Sequence, residues 1–293
     1  MKIDCAVVPV AGLGTRLLPL TKSQPKEMIP IGRKPVVQYV VEELEQAGLR
    51  RILFITGRGK HAIEDHFDRD PELLRLLKKS GKSNLLEELA FEEMDVSFYY
   101  IRQGEQLGLG HAVLQARDFS GDRPFVVALG DSIICNDSGT TNIVRRLIDC
   151  YSRTQAACVI AFEEVPAEEV SQYGIAQPAA MGEVFPVADL VEKPAVGEAP
   201  SRLAIAGRYV LSPGIFAALE QTPPGKHNEI QLTDAIRLLL QRGEKVYGVR
   251  LAPGERRHDI GNFASYFRSF IEFALRDAEH GPALRTYVRK LLP

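Results

Sequence analysis

A glycine turn, Val10-Ala11-Gly12-Leu13-Gly14-Thr15-Arg16-Leu17, follows the first apolar run of the chain, and the cations Arg16, Lys22, Lys26 and Lys34 lie downstream of its glycines. Glycines let a phosphate approach backbone N–H groups without a Cβ in the way. Pro19, Pro25, Pro30 and Pro35 stiffen the cationic stretch and prevent a simple amphipathic helix. Fixed positive charges beside an anion-binding turn suit a triphosphate. The turn is not a dinucleotide fingerprint, because Leu17 stands where a third glycine or alanine belongs, and no P-loop pattern occurs. Taken alone it also reads as a strand-to-helix turn that needs glycine.

Further candidates lie downstream. Gln103 follows a predicted strand, and its side-chain amide offers a donor and an acceptor to match a pyrimidine edge. Asp131 follows the run Phe125–Leu129 and Gly130, where a carboxylate at a strand end could hold a divalent metal. His61 and His66 are five apart, a poor spacing for one metal, and read as surface residues; His111 reads as packing. Phe263, Phe267 and Phe270 form a stripe on a C-terminal helix that reads as core more readily than as interface.

The elements that must position these residues alternate in the first half. Strands are expected at Asp4–Val10, Arg51–Thr56, Val96–Ile101, Arg123–Leu129 and Ala156–Phe162. Helices are expected from Pro35 to Gly48, near Lys60–Phe67, over Pro71–Leu89, near Gly110–Arg117 and near Thr141–Ser152. Such alternation implies a parallel sheet covered on both faces. Beyond residue 163 shorter strands follow at Gly174–Gln177, Val187–Val191, Ala204–Leu211 and Lys245–Leu251. Helices there are expected at Pro213–Leu219, Gln231–Gln241, Asn262–Arg276 and Pro282–Leu292.

The whole series resembles the sugar-1-phosphate nucleotidylyltransferases. The resemblance is carried by Gly12-x-Gly14-Thr15-Arg16-Leu17, Pro25-Lys26-Glu27-Met28-x-Pro30 and Lys34-Pro35-x-x-Gln38-Tyr39. It continues through Arg102-Gln103-Gly104, Gly108-Leu109-Gly110-His111-Ala112, Tyr173-Gly174, Val191-Glu192-Lys193-Pro194, Asn228-Glu229-Ile230-Gln231-Leu232-Thr233-Asp234 and Asp259-Ile260-Gly261-Asn262. The Pro-Lys-Glu-Met wording and the single glycine after Ala11 are similar to the branch that uses UTP and glucose 1-phosphate. A thymidylyl branch differs by room for one methyl group, about 1–3 kcal/mol, so dTTP stays open as the alternative nucleotide. A nucleotide-sugar-binding regulator is the other-class alternative.

The resemblance implies an α/β, Rossmann-like fold: a mixed, mostly parallel central sheet covered by helices, with smaller strand-rich insertions and C-terminal helices. One domain is expected over residues 1–293, with a nucleotide half (1–162), a sugar-phosphate half (163–261) and terminal helices (262–293). It implies that Ala11, Gly12, Gly14, Thr15, Glu27, Gln103 and Gly108 bind nucleotide, and that Gly174, Glu192 and Lys193 bind sugar phosphate. Arg16, Lys26 and Lys193 are implied as catalytic cations, and Asp131 and Asp259 as Mg²⁺ ligands, with a helix cap as the other reading of Asp259. It implies a homodimer or homotetramer.

Composition limits the rest. Hydrophobic residues make up 45% and charged residues 25%, which excludes a disordered chain. A net charge of −2 gives no blanket attraction to nucleic acid or anionic membrane. The apolar run Cys5–Leu13 is interrupted by Pro9 and Gly12 and falls short of the ~20 residues that span a bilayer. Cys5, Cys135, Cys150 and Cys158 form no C-x-x-C pair and read as free thiols of a cytoplasmic protein.

Overall fold

A computed structural model describes residues 3–136, 139, 141–225 and 228–292. In chain order, β1 (Cys5–Pro9) is followed by the glycine turn and three short 3-10 turns, then a hairpin of β2 (Pro30–Ile31) and β3 (Lys34–Pro35). Helix α1 (Val36–Gln46), β4 (Arg51–Thr56), α2 (His61–Phe67), α3 (Pro71–Lys79), α4 (Ser83–Glu88) and β5 (Ser97–Arg102) follow. Next come α5 (Leu109–Leu114), α6 (Arg117–Ser120), β6 (Phe125–Ala128), β7 (Ser132–Asn136), α7 (Ile143–Thr154) and β8 (Cys158–Glu164). The last part holds β9 (Gly174–Pro178), β10 (Val184–Glu192), β11 (Leu203–Leu211), α8 (Gly214–Gln221), α9 (Leu232–Gln241), β12 (Val246–Arg250), β13 (Glu255–Asp259), α10 (Phe263–Arg276) and α11 (Gly281–Leu291).

One nine-stranded sheet organises the molecule, in the order β5-β4-β1-β6-β11-β8-β12-β10-β9. β5, β4, β1 and β6 are mutually parallel; only β10 and β11 run against the other strands. The sheet is therefore mixed and mostly parallel, as the sequence led us to expect.

Period-two alternation divides the core between its faces. Cys5 and Val7 of β1 pack with residues of α5, α8 and α9, while Ala6 and Val8 pack with α1 and α7. On α1, Val37, Val40, Val41 and Leu44 make the buried stripe. Gly48 closes the helix at φ 91°, a conformation in which a Cβ would be strained.

Two expectations need correction. The helix expected over Pro71–Leu89 is two helices, because Gly81 turns the chain at φ 70° between α3 and α4. β7 and β13 had no strand signal, since the second reads Glu-Arg-Arg-His-Asp, yet they pair antiparallel in a separate two-stranded ladder. No helix among the described residues is long and apolar enough to cross a membrane.

Candidate active site

The parallel strands β1, β5 and β6 end along one edge, and the loops that leave them enclose a cleft of about 470 Å³. Carboxyl ends of such strands, where the order reverses about the first strand, are where open α/β sheets hold ligands. Ala11, Gly12, Gly14 and Thr15 line it from the turn after β1. Lys26 and Glu27 line it from the last 3-10 turn, Gln103 and Gly108 from the connection after β5, and Asp131 from the loop after β6.

Gly14 sits at φ 67°, and a Cβ there would lie 3.1 Å from Thr21 Cγ2 and 3.3 Å from Lys26 Cβ. The glycine is thus required by both conformation and space. Gly108, at φ 103°, is fixed similarly: a Cβ would lie 2.7 Å from the carbonyl oxygen of Ile230. That closeness belongs to a backbone clasp in which Ile230 N donates to Leu107 O (2.7 Å) and Gly110 N to Ile230 O (2.8 Å).

The charges of the site are arranged around Lys26. Its ammonium donates to Asp131 Oδ2. Burial works against the Lys26 charge, but Asp131, Glu27 and Asp259 outweigh it and hold the ammonium pKa above its ordinary value. Burial likewise opposes the Asp131 charge, and Lys26 and Arg16 overcome it, so that carboxyl stays below the usual range. Asp259 goes the other way: burial and the neighbouring Asp131 push it up, against Arg257, Lys26 and Arg16. Arg16 is exposed, and its Nη2 lies 3.3 Å from where a Cβ on Gly261 would stand, beside Asp259.

Asp131 and Asp259 come from opposite halves of the chain and meet through the β7–β13 ladder. Ser132 is paired with Asp259, and Ile260 N donates to the Asp131 carbonyl at 3.1 Å. Behind them lies Arg208, fully buried on β11. It donates to Glu43 Oε2 through Nε (2.9 Å) and Nη2 (2.7 Å), and to Ser132 O (2.7 Å). Burial pushes the Glu43 carboxyl up, and Arg208 opposes that. Asp259 is not a helix cap; Asn262 caps α10, accepting from Ser265 N at 3.0 Å.

Gly174, Glu192 and Lys193 lie outside the lining of this cleft and form their own cluster at the paired ends of β9 and β10. A Cβ on Gly174 would lie 3.2 Å from Glu192 Oε2 and 2.8 Å from Ile205 Cδ1. Lys193 adopts φ 46°, its N donates to Tyr173 O (3.0 Å), and its ammonium lies 3.4 Å from Glu192 Oε1. Arg257 links this cluster to the acids. It stands 4.2 Å from the Tyr173 ring, is ion-paired with Glu163, and shares a second cavity of about 520 Å³ with Asp259.

The nucleotidyl transferase family model matches residues 5–274. The chain belongs to that family. Among curated relatives, the UTP–glucose-1-phosphate uridylyltransferase of Staphylococcus epidermidis is 44% identical over 291 residues, spanning 99% of both chains. UTP–glucose-1-phosphate uridylyltransferase 2 of Staphylococcus saprophyticus is 45% identical over 291 residues, spanning 99% of this chain and 98% of its own. Among solved structures, a UTP-bound UGPase from Acinetobacter baumannii superposes with a TM-score of 0.90 at 39% identity, covering 99% of this chain and 100% of its own. A UDP-glucose pyrophosphorylase complexed with UDP-glucose gives a TM-score of 0.85 at 36% identity, covering 94% of this chain and 100% of its own.

This nucleotidyl transferase differs from its sequence reading at several side chains. The Gln103 amide nitrogen is already engaged, by Gly108 O (3.2 Å) and His111 Nδ1 (2.9 Å), so of the expected donor and acceptor only the oxygen is left uncommitted to these partners. His111 is therefore a partner of Gln103 rather than packing alone. His66 is half-buried, stacked on Phe91 at 4.7 Å and bonded to Gln38 (3.1 Å). Lys34 is engaged by Glu42 at 2.8 Å, and Lys22 is exposed; neither lines the cleft. On α10 the stripe is not core, since Phe267 and Phe270 are exposed while Tyr266 and Phe273 pack inward against Ile31, Val36, Ile133 and Ile260. Sequence reasoning missed Lys60, Gln106 and Arg257. Lys60 had a signal, a cation at the end of a glycine-rich stretch just after a strand (Gly57-Arg58-Gly59-Lys60).

Proposed function

We propose that this chain transfers the uridylyl group of UTP to the phosphate of glucose 1-phosphate, releasing pyrophosphate and forming UDP-glucose. The observation that carries the reading is the convergence, in one cleft, of the glycine turn, Gln103 and the Lys26–Asp131 pair, in a chain similar over 99% of its length to uridylyltransferases. An oxygen of the sugar phosphate attacks the α-phosphorus in line. The new P–O bond forms as the bond to the β-phosphate bridging oxygen breaks, and the electron pair leaves with pyrophosphate. The nucleophile is already ionised near neutral pH, so no general base is needed. The work is bringing two polyanions together, which positioned charge accomplishes.

Lys26 and Arg16 are the cations assigned to the triphosphate and the charge built up in transfer. Ala11, Gly12, Gly14, Thr15, Glu27 and Gly108 shape the nucleotide side, with the Gln103 oxygen available to an imide N–H of the base. Gly174, Glu192 and Lys193 are assigned to the sugar phosphate. The two acids suit Mg²⁺, which takes one or two carboxylates and completes its shell with phosphate oxygens and water. The Asp131 charge pushes the Asp259 carboxyl up, a repulsion that a cation relieves. Asp131 and Asp259 would hold it, and when bound it supplies positive charge against the phosphates. The exposed apolar face of α10 supports assembly into a homodimer or homotetramer.

The test is pyrophosphate release by purified protein with Mg²⁺ and glucose 1-phosphate, run in parallel with UTP, dTTP, CTP, ATP and GTP. A UTP rate at least tenfold above the others is expected. A dominant dTTP rate would keep the chemistry and move the nucleotide assignment.

A further inference from the structure

Three carbonyl oxygens of the glycine turn, those of Ala11, Gly12 and Gly14, each accept from a side chain elsewhere. Gln106 Nε2 donates to Ala11 O at 3.0 Å, Lys60 Nζ to Gly12 O at 2.7 Å, and Thr21 Oγ1 to Gly14 O at 2.8 Å. Gly14 O also accepts from Leu17 N at 2.9 Å. Lys60 is only 5% exposed, and its ammonium is fixed in turn by Glu27 Oε2 at 2.8 Å. Among the described residues the N–H groups of Gly12, Leu13, Gly14 and Thr15, all in the lining of the cleft, donate to no protein acceptor.

A peptide carbonyl oxygen carries partial negative charge, so one turned toward a triphosphate repels it. Bonding those oxygens to the protein fixes the peptide planes and leaves the N–H dipoles for the anion. We infer that Lys60 and Thr21 are positioning residues of the nucleotide site: by capping the carbonyls of Gly12 and Gly14 they hold the turn as a concave set of donors for the UTP phosphates. Neither residue lines the cleft, so each acts through the turn and not by touching nucleotide. Lys60 has a second effect. It ties the turn to Glu27, which neighbours Lys26 in sequence, so the donor set and the Lys26 ammonium keep one relative position. This rests on the uridylyl reading for the identity of the nucleotide.

Calorimetry of UTP binding, together with the KM for glucose 1-phosphate, separates this role from general support of the fold. Lys60→Met is expected to weaken UTP binding at least tenfold, and the near-isosteric Thr21→Val about threefold. The KM for glucose 1-phosphate is expected to stay within twofold in both. UTP affinity equal to wild type in folded Thr21→Val and Lys60→Met would overturn the inference, as would equal losses for both substrates. If Lys60→Met does not fold, Thr21→Val alone decides. Wild-type protein that binds dTTP over UTP would instead overturn the nucleotide assignment, and the same two variants titrated with dTTP would then decide the capping role.

Discussion

Lys26 has one partner in the folded chain and a second under the proposed function. Its ammonium bonds Asp131, and the same charge is the one assigned to the transferring phosphoryl group. Because the charge is held by three surrounding acids, it stays protonated across the working pH range. Lys26→Ala is expected to lower kcat by about 10²- to 10³-fold, the range seen when one preorganised donor is lost, with a much smaller change in the KM for UTP. Steady-state pyrophosphate release checks this, and near-normal kcat would remove Lys26 from the transfer step. Asp259 allows a second residue-scale prediction. Its pKa is raised by burial and then by Asp131, so Asp131→Asn removes one upward push. The Asp259 carboxyl is expected to titrate at lower pH in that variant, followed by carbon-13 carboxyl NMR. That Lys26, Asp131 and the glycines belong to one cleft was legible in the sequence, because a side chain's chemistry travels with its type. The commitments of Gln103 were not, because whether an amide nitrogen is available depends on Gly108 and His111 folding beneath it.

Elements set the spacing of the acids. β13 is polar, β7 is only five residues long, and neither shows the alternation that marks a strand, so the ladder that brings Asp131 to Asp259 was invisible to periodicity. The long parallel strands were legible with ends off by one or two residues, because burial on both faces demands continuous apolar runs. The ladder is fixed from behind by Arg208, which joins β11, α1 and the first residue of β7. Breaking a buried pair by removing one partner leaves an uncompensated charge, at a cost of about 3–5 kcal/mol. Arg208→Met is expected to lose stability of that order in urea titration, and Arg208→Met/Glu43→Gln to recover part of it. A neutral outcome for the single variant would show that the 129–132 segment holds itself.

At the scale of the molecule, the nine-stranded sheet is one continuous body to which both halves of the chain contribute. The apolar face left outside it is on α10, where Phe267 is 56% and Ile271 53% exposed. A monomer seldom leaves such a contiguous face in water, and a second copy of the chain is the occupant the assembly proposal assigns to it. Sedimentation is expected to give a species of at least twice 32.5 kDa, and Phe267→Glu/Ile271→Glu a monomer of 32.5 kDa. A wild-type monomer at micromolar concentration would sink that assignment. The β7–β13 pairing has a bearing on synthesis as well. Asp131 leaves the ribosome long before its companion, and the glycine turn before either. During that interval the partial chain already carries its donor turn and Lys26 but lacks the second acid. Under the proposed role of Asp259, a nascent chain halted before residue 255 is thus expected to be incapable of turnover.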